Sequence, residues 1–154
     1  LHPVAHSFPT RRSSDLFKVG SEDHKKVPGL WEDLESLYLS DISNKVQPLS
    51  KVGLEIYRFD FMETKMVDYY ATVETNDLIE FDEDESLVTK KLPKGEYILF
   101  PILRDDIYNE IKKVYQYVQK ENINVHLGFH VEIYQDDSLN TNKNTIYLSF
   151  KLEE

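Results

Sequence analysis

The sequence predicts an α+β domain whose sheet is mainly antiparallel. Three observations carry that reading. Two segments repeat apolar residues every three or four positions, as amphipathic helices do. Short runs with period-two alternation follow each of them. Polar connections bearing Pro, Gly, Asn or Asp punctuate the runs, as turns and loops do.

The elements follow in order. Residues 17–20 read as the remainder of a first strand. Pro28-Gly29 reads as a turn into a helix whose stripe is Leu30, Trp31, Leu34, Leu37 and Tyr38, with Glu32 and Asp33 in the first turn where the dipole favours them. Residues 40–49 are polar, carry Pro48 and read as a loop. Residues 51–61 read as a strand apolar on both faces, Val52, Leu54 and Ile56 on one and Tyr57, Phe59 and Phe61 on the other. Residues 66–75 form the next strand, with Val67, Tyr69, Ala71 and Val73 on one face and Tyr70 and Glu74 on the other. An acidic connection, 76–85, leads to a strand at 86–92, a Pro93-Lys94-Gly95 turn and a mostly buried strand at 97–102.

The second helix is capped by Asp105 or Asp106. Its stripe is Ile107, Ile111, Val114, Tyr115 and Val118, and Asn122 and Asn124 close it. Residues 129–134 alternate as a strand, 136–143 form a polar hairpin loop, and 145–152 close the chain with Ile146, Leu148, Phe150 and Leu152 on a core face. The order amounts to two strand-helix-strand-strand units. The duplication is read from the order of elements, without a residue-level repeat.

Residues 6–16, HSFPTRRSSDL, resemble the translation of a sequencing-adapter oligonucleotide. Residues 1–16 are therefore expected to be non-native and to make few native-like contacts, leaving one domain at 17–154. Whatever preceded Phe17, including any DNA-binding domain, is then lost. Taking Arg11, Arg12 and Asp15 out of 18 basic and 28 acidic residues leaves 16 and 27, a formal charge of −11. That balance disfavours direct contact with nucleic acid or an anionic membrane. It suits a cytoplasmic protein or a cationic partner. With no cysteine there is no disulfide framework and no thiolate chemistry. No apolar run approaches the roughly 18 residues of a membrane span.

The candidate chemistry lies in Phe129-His130-Val131-Glu132-Ile133-Tyr134. Alternation puts His130, Glu132 and Tyr134 on one face. A carboxylate among rings costs free energy unless something compensates it. Two readings stand: Glu132 faces water on the outer side of the sheet, or it faces a cationic ligand. Aromatic rings attract such a ligand by about 0.5–2 kcal/mol each. His126 and His130 have no cysteine or further histidine beside them, so no metal site is read there. His130, Glu132 and Tyr134 would also suit a general base with helpers, although nothing marks a nucleophile.

The segments LPKGEYILF (92–100), VEIY (131–134) and TIYLSFKL (145–152), with the helix 106–121 between the first two, resemble the GyrI-like effector-binding domains of AraC- and MerR-type bacterial transcription regulators. GLW (29–31), VGLEIY (52–57) and YYATVET (69–75) resemble the same family's first half. The resemblance covers almost all of 17–154. It implies two pseudo-twofold β-α-β-β units with a ligand cleft between them. It implies small, often cationic and aromatic ligands. No catalytic residue, cofactor or metal is expected. Carried over, Glu132 matches the acidic cleft position, and Trp31, Tyr70 and Tyr134 match positions on or near the cleft, with His130 beside them. Trp31 also lies on the apolar stripe of its helix, where core packing competes with ligand contact. The resemblance leaves two forms open, a stand-alone effector domain or the sensor part of a regulator. Some relatives hydrolyse electrophilic ligands with cleft glutamates, and a hydrolase is the alternative function. The acidic stretch 77–85 departs from the family's pattern.

Overall fold

A computed structural model describes residues 7–11, 15–19, 22–37, 51–73, 87–134 and 145–153. In order they form β1 (Ser7–Arg11), β2 (Asp15–Lys18), a 3-10 turn (Glu22–Lys26), α1 (Val27–Leu37), β3 (Lys51–Tyr57), α2 (Phe61–Thr64) and β4 (Met66–Val73). Then come β5 (Leu87–Lys91), β6 (Tyr97–Leu103), a 3-10 turn (Arg104–Asp106), α3 (Ile107–Lys120), β7 (Phe129–Tyr134) and β8 (Thr145–Lys151). The loops predicted at 40–49 and 136–143 and the acidic connection 76–85 lie outside the described residues.

All eight strands join one sheet in the order β5-β1-β4-β3-β7-β8-β6, with β2 pairing β4 beside β1. Every pairing is antiparallel. The order makes the duplication explicit. In the unit β2-α1-β3-β4 the third strand sits between the other two. In β6-α3-β7-β8 it does so again. The two units meet where β3 pairs with β7, Leu54 opposite Val131.

Three apolar clusters hold this arrangement. Leu30 and Leu34 of α1 pack on Val67, Tyr69, Ala71 and Val73, the face of β4 expected from its alternation. Val114 and Val118 of α3 pack with Ile102, Ile146, Leu148 and Phe150. Both helices thus cover one side of the sheet. On the other side Val52, Leu54, Phe129 and Val131 cluster with Leu92 and Tyr97. Burial of the whole set is the main favourable term in folding. The close of α3 is as expected: Asn122 takes the left-handed conformation at φ 53°, and Ile123 N–H reaches back to Val118 O at 3.0 Å.

Four expectations need correction. Pro28 and Gly29 lie inside the first turn of α1 rather than before it, which Pro tolerates because first-turn N–H groups have no helical partner. Glu32 and Asp33 are consequently one turn further in. The strand expected at 51–61 stops at Tyr57 and turns into α2, leaving Phe59 97% exposed. Asp106 stands at the helix N-cap without bonding the backbone; its Oδ1 accepts from Asn109 Nδ2 at 2.8 Å. Finally, residues 7–11 and 15–18 are paired: β1 lies between β5 and β4, and β2 runs along Met66–Tyr69. The expectation of few contacts in 1–16 is therefore overturned for 7–11 and 15–16: β1 is an interior strand, and among the described residues β5 joins the sheet only through it. Pairing is a backbone property and does not bear on where these residues came from.

Candidate functional site

At the seam of the two units, on the helix-covered side, the sheet carries polar residues where a core is expected. Period-two alternation puts Gly53, Glu55 and Tyr57 of β3 on this face beside His130, Glu132 and Tyr134 of β7. The register sets Gly53 opposite Glu132 and Glu55 opposite His130. His130 is 0% exposed, Glu132 4% and Glu55 8%. Glu132 therefore does not face water, and that reading of the strand is overturned.

Each polar group has a defined neighbour. Tyr69 Oη donates to Glu132 Oε2 at 3.2 Å and Tyr134 Oη donates to the same oxygen at 2.9 Å. Trp31 Nε1 donates to Tyr69 Oη at 3.3 Å, and the Trp31 ring meets the Tyr134 ring edge to face at 5.3 Å. His130 Nδ1 lies 2.8 Å from Tyr115 Oη and 3.3 Å from Tyr57 Oη, and these two hydroxyls are 2.6 Å apart. His130 Nε2 points between the carboxylates, 3.4 Å from Glu55 Oε2 and 3.5 Å from Glu132 Oε1. Neither contact is a hydrogen bond, and Nε2 is buried without a hydrogen-bond partner.

Burial first, then the adjacent carboxylate, pushes the hydroxyls of Tyr57, Tyr69 and Tyr134 far up from their ordinary value. All three stay protonated donors. For His130 burial is the largest influence and works downward, but Glu55, Tyr115 and Glu132 outweigh it and the net direction is up.

Of the residues singled out in the sequence, Trp31, His130, Glu132 and Tyr134 come together. Tyr70 does not. It pairs with Leu54 and therefore lies on the opposite face, packed with the β3 and β7 apolar residues under the Lys90 ammonium, 4.8 Å from its ring centre. Its neighbour Tyr69 reaches Glu132 instead. His126 stands apart too, its Nδ1 accepting the Gly128 N–H at 2.9 Å.

Sequence reasoning passed over Glu55, Tyr57, Tyr69 and Tyr115. A signal for the first two was present. Leu54-Glu55-Ile56-Tyr57 and Val131-Glu132-Ile133-Tyr134 are the same motif in the two units. With Leu54 opposite Val131, a twofold axis between them exchanges Glu55 with Glu132 and Tyr57 with Tyr134. The helices follow that symmetry: Trp31 of α1 meets Tyr134, and Tyr115 of α3 meets Tyr57.

The family model Cass2, described as integron-associated effector binding protein, matches residues 15–149. No curated protein matches the chain by sequence. Among solved structures, SAV2435 bound to tetraphenylphosphonium superposes with a TM-score of 0.70 at 16% identity, covering 99% of this chain and 92% of that one. The integron cassette protein VCH_CASS2 of Vibrio cholerae superposes with a TM-score of 0.61 at 20% identity, covering 99% and 94%. A hydrolase encoded by lin2189 of Listeria innocua superposes with a TM-score of 0.51 at 12% identity, covering 99% and 91%. At these identities the likenesses are to the fold.

Proposed function

The chain belongs to the Cass2 family of integron-associated effector binding proteins, and we propose that it binds a small organic cation with aromatic character at the seam between its two units. The observation that carries this reading is the buried Glu132 carboxylate, held by Tyr69 and Tyr134 beside the Trp31 ring. A carboxylate supplies the charge and the ring faces supply the cation–π attraction. Two glutamates and one histidine are buried together, so acidic groups outnumber basic ones where the cation would sit. The neighbour crystallised with tetraphenylphosphonium, a lipophilic aromatic cation, fits this chemistry.

The effector-binding domain of this reading spans 17–154, as a stand-alone module or as the sensor part of a bacterial transcription regulator. The family match over 15–149 supports that span. Trp31 is the chain's single tryptophan, so the site carries its own fluorescent reporter. Titration with tetraphenylphosphonium should quench Trp31 emission saturably, and calorimetry should return the same affinity. Absence of both signals would overturn the reading. The hydrolase alternative has its own test: turnover of reactive esters or strained electrophiles that disappears in Glu132→Gln would favour it.

A further inference from the structure

We infer that Glu55, His130 and Glu132 form a binding site for one divalent metal ion. The three residues present a ring nitrogen and two carboxylate oxygens within 4.8 Å of one another. The spacing is the telling part. A charge-assisted N–H···O bond would draw nitrogen and oxygen to about 2.7–2.9 Å. Here Nε2 stands 3.4 Å from one carboxylate and 3.5 Å from the other, bonded to neither. A tetrahedral ion with ligand bonds of about 2.0–2.1 Å holds its ligand atoms about 3.4 Å apart.

The surrounding hydroxyls are placed as outer partners of such a site. Tyr115 Oη, 2.8 Å from Nδ1, is placed to fix the ring by accepting a hydrogen bond from Nδ1–H, with Nε2 aimed between the carboxylates. Tyr69 and Tyr134 both bond Glu132 Oε2, and this leaves Oε1 facing Nε2. Two carboxylates balance the charge of a dication, and the ion replaces the proton at Nε2. Imidazole with carboxylate suits Zn²⁺, Mn²⁺ or Fe²⁺ rather than a thiophilic ion. Three protein ligands leave one coordination position for a fourth group.

Both claims use Glu132, but this one does not rest on the organic-cation reading, which adds the Trp31 and Tyr134 rings in place of Glu55 and His130 and is tested with a different probe. The experiment uses the full chain stripped with chelator, then titrated with Zn²⁺ by calorimetry and with Co²⁺ by absorption. Expected are one Zn²⁺ per chain and the visible bands of tetrahedral Co²⁺. Glu55→Gln and His130→Gln should each weaken Zn²⁺ by roughly tenfold or more, while His126→Gln leaves it unchanged. His130→Gln empties a fully buried position and risks misfolding. The Co²⁺ spectrum of the unaltered chain and the near-isosteric Glu55→Gln decide without it. No saturable Zn²⁺ binding, binding indifferent to Glu55→Gln, or binding lost in His126→Gln would each overturn the site.

Discussion

Tyr69 and Glu132 are hydrogen-bonded across an intervening strand. Tyr69 is on β4 and Glu132 on β7, with β3 between them, yet Oη reaches Oε2 at 3.2 Å. The contact exists because the β3 residue between them is Gly53. A Cβ there would collide with Tyr69 Oη and lie 2.9 Å from Glu132 Oε2. Gly53→Ala should therefore force the tyrosine off the carboxylate. Overpacking of this kind costs about 1–3 kcal/mol. Urea denaturation should show that loss, and Trp31 emission should shift because its N–H partner has moved.

Removing the hydroxyl alone separates the bond from the space it fills. Tyr69→Phe keeps the ring but leaves Trp31 Nε1 without this acceptor and Glu132 with one donor fewer. Groups left unpaired in a buried setting cost about 1–3 kcal/mol. An unfolding midpoint equal to that of the unaltered chain would show the hydroxyl to be dispensable.

Much of this was legible in the sequence because burial obeys period. The stripe of α3, the alternation of β4 and β7 and the core face of β8 follow from apolar spacing alone. The extents of β3 and α1 were not legible. Phe59 and Phe61 continue the apolar alternation, but a turn at Phe59-Asp60 breaks the backbone. The site was half legible. Glu132, Tyr134 and His130 share a strand, so alternation alone puts them together. Tyr69 was missed in favour of Tyr70 because which of two adjacent tyrosines faces Glu132 depends on registers across two strand pairs, and a slip of one residue reverses the answer. Glu55 was missed because β3 looked apolar on both faces, although the repeated Glu-Ile-Tyr marked it.

The core of the second unit rests on β8. Leu148 has no exposed surface and packs between the sheet and α3 with Val114, Val118 and Phe150. Leu148→Ala should cost about 2–5 kcal/mol from lost transfer energy and the cavity left behind. Calorimetric unfolding at matched pH would check this, and a loss below about 1 kcal/mol would mean the site collapses freely.

Tyr97 gives a prediction in alkaline solution. Its hydroxyl donates to Pro93 O at 2.8 Å, and burial pushes its pKa up from 10.0 to about 12. The neutral form is therefore favoured by folding. Its contribution is complete below the unfolded value, near pH 10, and is lost as pH rises from there through about 12. The informative quantity is the difference from Tyr97→Phe. That difference in melting temperature should shrink between pH 10 and 12. A constant difference would contradict the assignment.

Glu132→Gln is the sharpest test of the proposed effector site. The sequence alone portrays Glu132 as uncompensated, so that its removal would be neutral or stabilising. The structure gives it two tyrosine donors and the His130 ring. Glutamine keeps the shape and an accepting oxygen for the tyrosines but loses the charge beside the imidazole, so stability should fall by about 1–3 kcal/mol with the fold retained. Binding is the decisive readout. Losing one charge-assisted contact in a buried setting should weaken tetraphenylphosphonium by roughly 1.5–3 kcal/mol, about ten- to a hundredfold. A neutral compound of the same outline, such as tetraphenylmethane carrying a solubilising group, should bind both forms alike, since it meets only the rings. Equal affinity of the unaltered chain and Glu132→Gln for the cation would mean that the carboxylate serves the fold and not the ligand.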